Sequence, residues 1–259
     1  MFENDFILSA FSIWCLVSTI WIVSVIKTNA SIIDPWWSMT IFVGGTACLL
    51  RHELTPEKMF LILLTAIWAV RLWAYLTQRG WGEEEDPRYQ AFREQFGAQR
   101  YWWFSYFQVF MLQGSLAFIV SLPLQITMQS EVADGLQWND YLGAFVFLVG
   151  FFWEVVGDHQ LKLFKAEPEN RGKVMDRGLW RYSRHPNYFG EAFLWWGLWL
   201  CVIDEPGGLY TIVSPLLITF LLVKVSGVAM LEARLIQTKP GFKAYVERTS
   251  AFIPGPPRS

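Results

Sequence analysis

Several residue types and motifs that define common protein classes are scarce or missing in this sequence of 259 residues. The three cysteines and three histidines are isolated, so they provide neither a disulfide framework nor the spacing of a zinc site. There is no HExxH helix, no phosphate-binding P-loop and no GxGxxG turn. We therefore expect no bound metal. The net charge of -2 gives no indication of nucleic-acid binding, so we expect no nucleic-acid partner.

The chain is poor in charged residues and rich in apolar ones. Charged residues make up 17% of the chain, whereas hydrophobic residues make up 53%, including 15 Trp and 21 Phe. Several apolar runs approach the about 20 residues that cross a bilayer. The sequence predicts an all-α, polytopic integral membrane protein with about seven transmembrane helices in a single domain, 1–259. The predicted spans lie near 6–26, 35–50, 58–78, 102–124, 141–163, 186–203 and 209–231.

Lysine and arginine are distributed unevenly between the loops that join these spans. Only Arg51 and Lys58 lie in one set of loops, and most of the others lie in the opposite set. The positive-inside rule therefore places the N-terminus outside and the C-terminus in the cytoplasm. Two cytoplasmic segments are predicted to form short amphipathic helices. One follows the cap residue Asp86 and ends at Gly97, and the other lies near 242–249.

A short polar run, GLWRYSRHPNYFGE at 178–191, separates two apolar segments. Pro186 disfavours helical backbone at His185 but suits the first turn of a helix, so the residues before it should form a loop. Asn187 and Glu191 are four residues apart and share one face of that helix. Cations beside a helix start favour an anion, and a carboxylate inside the bilayer is a functional candidate. The alternative is a positive-inside anchor with an amide–carboxylate pair between helices.

Two further stripes of ionisable residues fall within predicted spans at intervals of four. They are Arg71, Tyr75 and Arg79 on the third span, and Glu154, Asp158 and Lys162 on the fifth. Such charges are costly in a membrane unless they are paired or face a polar cavity. We expect them to line a cavity for a polar cofactor, and the alternative is salt bridges between helices. Asp34, directly before Pro35, is either a helix cap or a catalytic residue.

With these residues in view, the chain resembles the steroid 5α-reductase family over most of its length. It is closest to the bacterial branch long filed as a domain of unknown function. The resemblance rests on DPWWS (34–38), RLWAYLTQR (71–79), EDPRY (85–89), the stripe of Glu154, Asp158 and Lys165, the run at 178–191 and FIP (252–254). A similar RHPxY stretch occurs in isoprenylcysteine carboxyl and phospholipid methyltransferases, which bind S-adenosylmethionine. The Arg71, Tyr75 and Asp158 features favour the reductases.

The resemblance implies an NADPH-dependent oxidoreductase that reduces a carbon–carbon double bond conjugated to a carbonyl, like a 3-oxo-5α-steroid 4-dehydrogenase. It implies that Asn187 and Glu191 contact the nicotinamide carboxamide and that Asp158 contacts the adenosine. The residues implied to line the phosphates and sugars are Arg71, Tyr75, Arg79, Lys165, Tyr182, Arg184 and His185, with Arg234 and Tyr245 in the tail. The steroid enzymes hold the substrate ketone with a Glu and a Tyr, but Asp34 and Trp68 stand at the nearest positions here.

In conjugate reduction an enolate oxygen develops, and an acid aimed at that oxygen stabilises it. Asp34, protonated in an apolar setting, is the predicted donor, and Tyr75, Tyr89 and Tyr188 are the alternatives. Glu191 is grouped with the catalytic residues. The resemblance also implies a bacterial inner-membrane location, a hydrophobic small-molecule or lipid substrate, and membrane lipids as partners. The competing interpretations are an S-adenosylmethionine-dependent methyltransferase of a lipid or prenylated substrate, and a non-enzymatic lipid-binding or scaffold protein.

Overall fold

A computed structural model describes residues 2–131, 135–225 and 228–258, and in these ranges the chain contains helices and no β-strand. This confirms the all-α prediction. In the same ranges, five helices are long and apolar enough to cross a membrane, at 4–27, 56–80, 98–120, 138–166 and 208–225. The protein is therefore a polytopic integral membrane protein. The other two predicted spans contain shorter helices of 14 and 15 residues.

The helices are α1 Phe2–Lys27, α2 Ile33–Thr46, α3 Pro56–Gly80, α4 Pro87–Phe96, α5 Ala98–Ser105, α6 Leu112–Val120, α7 Leu122–Gln129, α8 Trp138–Ala166, α9 Pro186–Leu200, α10 Val213–Phe220, α11 Val228–Thr238 and α12 Phe242–Arg248. A π-helical segment, Tyr106–Met111, joins α5 to α6 within one span. α4 and α12 are the two short helices that the sequence predicted near 87–96 and 242–249.

The chain divides into two compact units. Unit 1 contains residues 1–137 and 202–211, and unit 2 contains residues 138–201 and 212–259. Helices α1 to α7 belong to unit 1, and α8 to α12 belong to unit 2. The single domain over 1–259 stays a prediction.

In unit 1, α2 lies at the centre and packs against α1, α3, α6 and α7. The pair Gly44 and Gly45 makes this close packing possible. A Cβ on Gly45 would lie 2.7 Å from Cβ of Leu124 in α7, and one on Gly44 would lie 2.6 Å from Cγ1 of Ile13 in α1. The absence of both side chains therefore lets the neighbouring helices approach the α2 backbone.

The helix α4 begins after Asp86 and ends at Gly97, as predicted. The carboxylate of Asp86 accepts the N–H of Arg88 at 2.9 Å, and Gly97 ends the helix with a φ of 82°. Glu85, just before the cap, forms an ion pair with Arg93 at 2.8 Å. These local contacts hold α4 at the edge of a buried cluster that includes Tyr89.

In unit 2, glycines at intervals of seven bring α8 and α9 together. Gly143, Gly150 and Gly157 face α9, which presents Gly190 and Gly197 in return. A Cβ on Gly150 would lie 2.6 Å from the carbonyl oxygen of Gly190, and one on Gly197 would lie 2.6 Å from that of Gly143. The two backbones are therefore in direct contact, as in membrane helix pairs with small residues at the interface.

The C-terminal strap, which we define as residues 249–255, runs against the loop that precedes α9. The N–H of Arg184 donates to the carbonyl of Ser250 at 2.9 Å, and the hydroxyl of Ser183 donates to that of Phe252 at 2.8 Å. The FIP ending therefore contacts the polar run at 178–191, although more than sixty residues separate them in the chain.

Candidate functional site

The predicted site residues fall in both units. Unit 1 holds Asp34, Arg71, Tyr75 and Arg79, and unit 2 holds Asp158, Lys165, Tyr182, Arg184, His185, Asn187, Tyr188, Glu191 and Tyr245. The side chain of Arg234 lies outside the part of the chain that the structure describes. That the two groups line one cavity stays a prediction.

The buried carboxylates of unit 2 lie along the contact between α8 and α9. The helix α9 begins at Pro186, as predicted, so Asn187 and Glu191 occupy successive turns of one face. The side-chain amide of Asn187 donates to Oδ1 of Asp158 at 2.9 Å. Asp158 and Glu191 are only 4% and 9% exposed. The amide–carboxylate pair that the sequence offered as an alternative is therefore present, with a second buried carboxylate beside it.

Arg184 and His185 hold the C-terminal part of the chain in place. The Nε and Nη2 atoms of Arg184 donate to the carboxylate of Glu232 at 2.7 and 3.0 Å, and Nη1 donates to the carbonyl of Val246 at 3.0 Å. Nε2 of His185 lies 3.0 Å from Oε1 of the same glutamate. The ring of Tyr188 stacks on that of His185 with a centroid separation of 5.5 Å.

Glu232 in α11 is the centre of this cluster, and sequence analysis did not identify it. Burial by itself would raise the pKa of Glu232, but hydrogen bonds from His185 and Arg184 outweigh burial and lower the pKa to about 2. Glu232 is therefore a carboxylate at neutral pH, with two cationic or polar partners that are themselves buried. No sequence spacing links residues 184 and 232, so the pair became visible only in the folded chain.

Tyr245 of α12 supports the turn that begins the polar run. Its hydroxyl donates to the carbonyl of Trp180, and its side chain is 2% exposed. Burial raises the pKa of Tyr245 above its ordinary value, so the hydroxyl keeps its proton and acts as a donor. In this structure Tyr245 stabilises the loop through its hydrogen bond to Trp180, and its contact with a cofactor stays a prediction.

Replacing Tyr245 with phenylalanine is expected to lower the stability of the protein by about 1–3 kcal/mol, because a buried carbonyl loses its donor. Thermal unfolding of the purified protein in detergent would measure the loss. Tyr182→Phe is the matched control, because the Tyr182 side chain is exposed and should tolerate the change. Equal stability of the two variants would show that the buried hydrogen bond does not support the loop.

In unit 1, the stripe on α3 has the geometry that its spacing predicted. The guanidinium carbons of Arg71 and Arg79 lie 5.1 and 5.9 Å from the centre of the Tyr75 ring. Both separations allow cation–π attraction. One helix face therefore carries two cations around a single aromatic ring.

Unit 1 also contains a cavity of about 730 Å³. It is lined by the last turns of α1 and α3, the start of α2 and the loop before α4. Its lining includes the cations Lys27 and Arg79, the carboxylate of Asp34, and the indoles of Trp36 and Trp81. The volume falls in the range of about 300–1,000 Å³ that is usual for small-molecule sites.

Asp34 lines this cavity as the acceptor of three hydrogen bonds. Oδ1 accepts the hydroxyl of Tyr89 at 2.6 Å and the amide of Gln113 at 3.3 Å, and Oδ2 accepts Nη2 of Arg88 at 2.9 Å. Burial and the adjacent Asp34 carboxylate raise the pKa of Tyr89, so Tyr89 keeps its proton and donates it. The first turn of α2 begins at Ile33, and Asp34 makes no cap hydrogen bond.

In this arrangement Asp34 is the acceptor toward all three groups. Arg88 can only donate, and so can the amide nitrogen of Gln113. In the sequence, Arg88 stands out only as part of the EDPRY motif, and Gln113 does not stand out at all. The signal that could have found Arg88 is its place in that motif, whereas no local pattern points to Gln113.

Among the described residues, no group of three or more His, Cys, Asp and Glu side chains is placed to hold a metal ion.

The fold and these sites define an all-helical integral membrane protein with polar clusters among its helices. A family of proteins of unknown function (DUF1295) matches residues 20–249, and the chain belongs to this family. An uncharacterised protein of the yeast Schizosaccharomyces pombe, C594.04c, is 24% identical over 226 residues, which cover 76% of this chain and 64% of that protein. A probable O-methyltransferase of Ustilaginoidea virens, ustE, is 43% identical over 60 residues.

That shorter match covers 22% of this chain and 20% of the Ustilaginoidea protein. The chain therefore spans less than two thirds of the length of either relative. No solved structure matches the chain. The family confirms the placement of the chain among proteins filed as a domain of unknown function, and its relation to steroid 5α-reductases stays a prediction.

Proposed function

We propose that this protein is a membrane-embedded reductase that uses NADPH to reduce a carbon–carbon double bond conjugated to a carbonyl in a hydrophobic substrate. The observation that carries the proposal is the set of Asp158, Asn187 and Glu191, in which both carboxylates are buried, because membrane helices do not keep such groups together at low cost. The motif resemblance over most of the chain supports the same activity. The cytoplasmic position of the C-terminus and the bacterial inner membrane belong to this proposal.

The chemistry of the unit 2 residues fits a dinucleotide. Asn187 presents a primary amide, which can both donate to and accept from a nicotinamide carboxamide, and Glu191 adds an acceptor one turn later. Asp158 is the candidate for the adenosine. The connection from α8 to α9 carries exposed cations, which suit a pyrophosphate and a 2′-phosphate; they are Lys165, Arg171, Lys173, Arg177 and Arg181.

Arg184 and His185 take a supporting role in this proposal. Arg184 donates hydrogen bonds to Glu232 and to carbonyls of the tail, and His185 contacts the same carboxylate. They thereby fix the loop that leads into α9 and so orient Asn187. On unit 1, Arg71, Tyr75 and Arg79 are the candidates for the remaining contacts with phosphate and sugar.

NADPH, when bound, supplies a hydride, which adds to the β-carbon of the substrate while a proton reaches the α-carbon. The chain's part is to orient the reactants, to exclude water and to stabilise the charge that develops on the carbonyl oxygen. Asp34 accepts three hydrogen bonds, which favours another residue as the donor to that oxygen. Tyr75 and Tyr188 are the remaining candidates for this hydrogen bond, because Tyr89 donates its proton to Asp34.

A methyltransferase that uses S-adenosylmethionine and acts on a lipid or prenylated substrate is the second candidate. The match to a probable O-methyltransferase favours it. S-adenosylmethionine carries no phosphate, so it makes no use of the exposed cations after α8. A panel of thermal-shift measurements separates the candidates: stabilisation by NADPH supports the reductase, stabilisation by S-adenosylmethionine supports the methyltransferase, and stabilisation by neither supports a scaffold.

The proposed site predicts that Asn187→Ala and Glu191→Ala each weaken NADPH binding more than tenfold. The reason is that each change removes a polar contact and so leaves a buried polar group of the cofactor without a partner. The measurement is the NADPH-dependent rise in melting temperature of the full chain in detergent. His159→Ala is the matched control, because His159 is the exposed neighbour of Asp158 on α8.

The control should keep the NADPH response of the wild type. Each variant is first tested for a single, monodisperse species, so that loss of binding is separated from loss of fold. Undiminished stabilisation by NADPH in both site variants would rule out the assignment of the cofactor to these residues.

A further inference from the structure

The cavity of unit 1 has a mixed lining of apolar and charged side chains, and hydrogen bonds fix the position of one of its carboxylates, Asp34. Ile32, Leu76 and the indole of Trp36 contribute apolar surface, and Asp34 contributes a carboxylate whose side chain is 30% exposed. Three donors on α4 and α6 hold that carboxylate in one orientation. A fixed acceptor that lines a cavity together with apolar surface is a recognition element of the kind that sets ligand orientation.

The hydrogen-bond capacity of Asp34 leaves room for one more donor. A carboxylate offers about four lone-pair positions. Tyr89 and Gln113 occupy two on Oδ1, and Arg88 occupies one on Oδ2. The fourth position can be filled only by a hydrogen-bond donor, and Asp34 lines the cavity with a partly exposed side chain. A carbonyl oxygen offers no hydrogen and would instead meet a like-charged acceptor.

We propose that the unit 1 cavity binds an amphiphile through a hydroxyl group, which donates its hydrogen bond to Asp34. Tyr89, Gln113 and Arg88 position the carboxylate, and the apolar wall takes the hydrocarbon part of the ligand. The orientation is therefore set by an alcohol, where a ketone-binding site would present a donor.

This inference rests on the proposed function only where it identifies the ligand with the substrate, which would then carry a free hydroxyl in addition to its conjugated carbonyl. Binding of an alcohol can be measured without NADPH and without turnover. Failure of the reductase proposal would therefore leave the result of the binding experiment unchanged.

The test uses a photoactivatable long-chain alcohol on the full chain in detergent, followed by mass spectrometry of the labelled peptides. Labelling is expected in the cavity-lining segments 31–36 and 76–87. Dodecan-1-ol should suppress this labelling, whereas dodecyl methyl ether should need about tenfold more, because it has no hydrogen to donate to a charged acceptor. This comparison uses the wild-type protein and so does not depend on the folding of any variant.

Asp34→Ala should reduce the labelling about tenfold, whereas Glu94→Ala should leave it unchanged, since Glu94 is an exposed carboxylate of α4 outside the cavity lining. Both variants are checked for monodispersity before labelling. Equal competition by the alcohol and the ether would overturn the proposal, because the apolar wall alone would then explain binding. Absence of label from the two segments in the wild type would overturn it as well.

Discussion

Gly150→Val is expected to prevent stable folding of unit 2. The new side chain would have to enter the contact between α8 and α9, where a Cβ already meets the backbone nitrogen of Leu194 and lies 2.6 Å from the carbonyl oxygen of Gly190. Overpacking a core costs about 1–3 kcal/mol when side chains can move aside. Here the neighbours are main-chain atoms, so we expect a loss at or above the upper end of that range.

The measurement is the yield of monodisperse protein in detergent and its melting temperature. Gly80→Ala is the matched control, because a Cβ on Gly80 at the end of α3 would meet nothing within 4 Å. Gly157→Ala should fall between the two, since its Cβ would lie 3.1 Å from the backbone nitrogen of Asn187. A wild-type melting temperature for the Gly150 variant would show that α8 and α9 do not pack through their glycines.

Local chemistry was enough to predict the short helices and the face of α9. The side chain of Asp86 caps the start of α4, and the backbone preference of Gly97 ends the helix. Pro186 sets the start of α9, and a spacing of four puts Asn187 and Glu191 on one face. Signals of this kind act within a few residues, so they can be read before the fold is known.

The partners of Asp34 could not be predicted in the same way. Tyr89 is 55 residues away from Asp34 and Gln113 is 79 residues away, so only the packing of α2, α4 and α6 brings the three together. The hydropathy pattern predicted that Asp34 sits at a helix start in an apolar setting, which suggested a protonated acid. The folded chain surrounds the carboxylate with donors, and the role of Asp34 as the acid stays a prediction.

The lengths of α2 and α9 were also beyond the reach of hydropathy alone. Their apolar runs continue into a 3₁₀ turn after α2 and into a turn after α9, and composition does not distinguish those turns from helix. The glycine-rich contact with α8 does explain why a helix as short as α9 is well placed, because its backbone lies directly on that of a 29-residue neighbour.

The second large effect is expected at the cluster of Glu232, Arg184 and His185. Glu232→Leu removes the carboxylate but leaves the Arg184 guanidinium buried, at 9% exposure of its side chain. Breaking a buried ion pair from one side costs about 3–5 kcal/mol, because the remaining charge is uncompensated. We therefore expect the melting temperature of Glu232→Leu to fall sharply, with loss of the strap contacts around residues 249–255.

The double variant Arg184→Met with Glu232→Leu distinguishes this explanation from simple loss of packing. It leaves neither charge unpaired, so it should be more stable than Glu232→Leu alone. A double variant whose loss of stability relative to the wild type equals the sum of the two single losses would show that the two residues act independently. Limited proteolysis of the C-terminal strap would report the same order of variants.

Acid should weaken the same cluster in a defined interval of pH. The folded pKa of Glu232 is depressed to about 2 from an ordinary value of 4.5, so its contribution to stability is complete above pH 4.5 and is lost as the pH falls toward 2. The groups that face the carboxylate are Arg184, His185 and Tyr245. The difference in melting temperature between the wild type and Glu232→Gln should therefore be fully present at pH 5. The difference should shrink below pH 4.5, as the ionised carboxylate loses its contribution of about 2–3 kcal/mol to stability. A difference that stayed constant down to pH 2.5 would mean that the ionised carboxylate does not hold the loop before α9 against the tail.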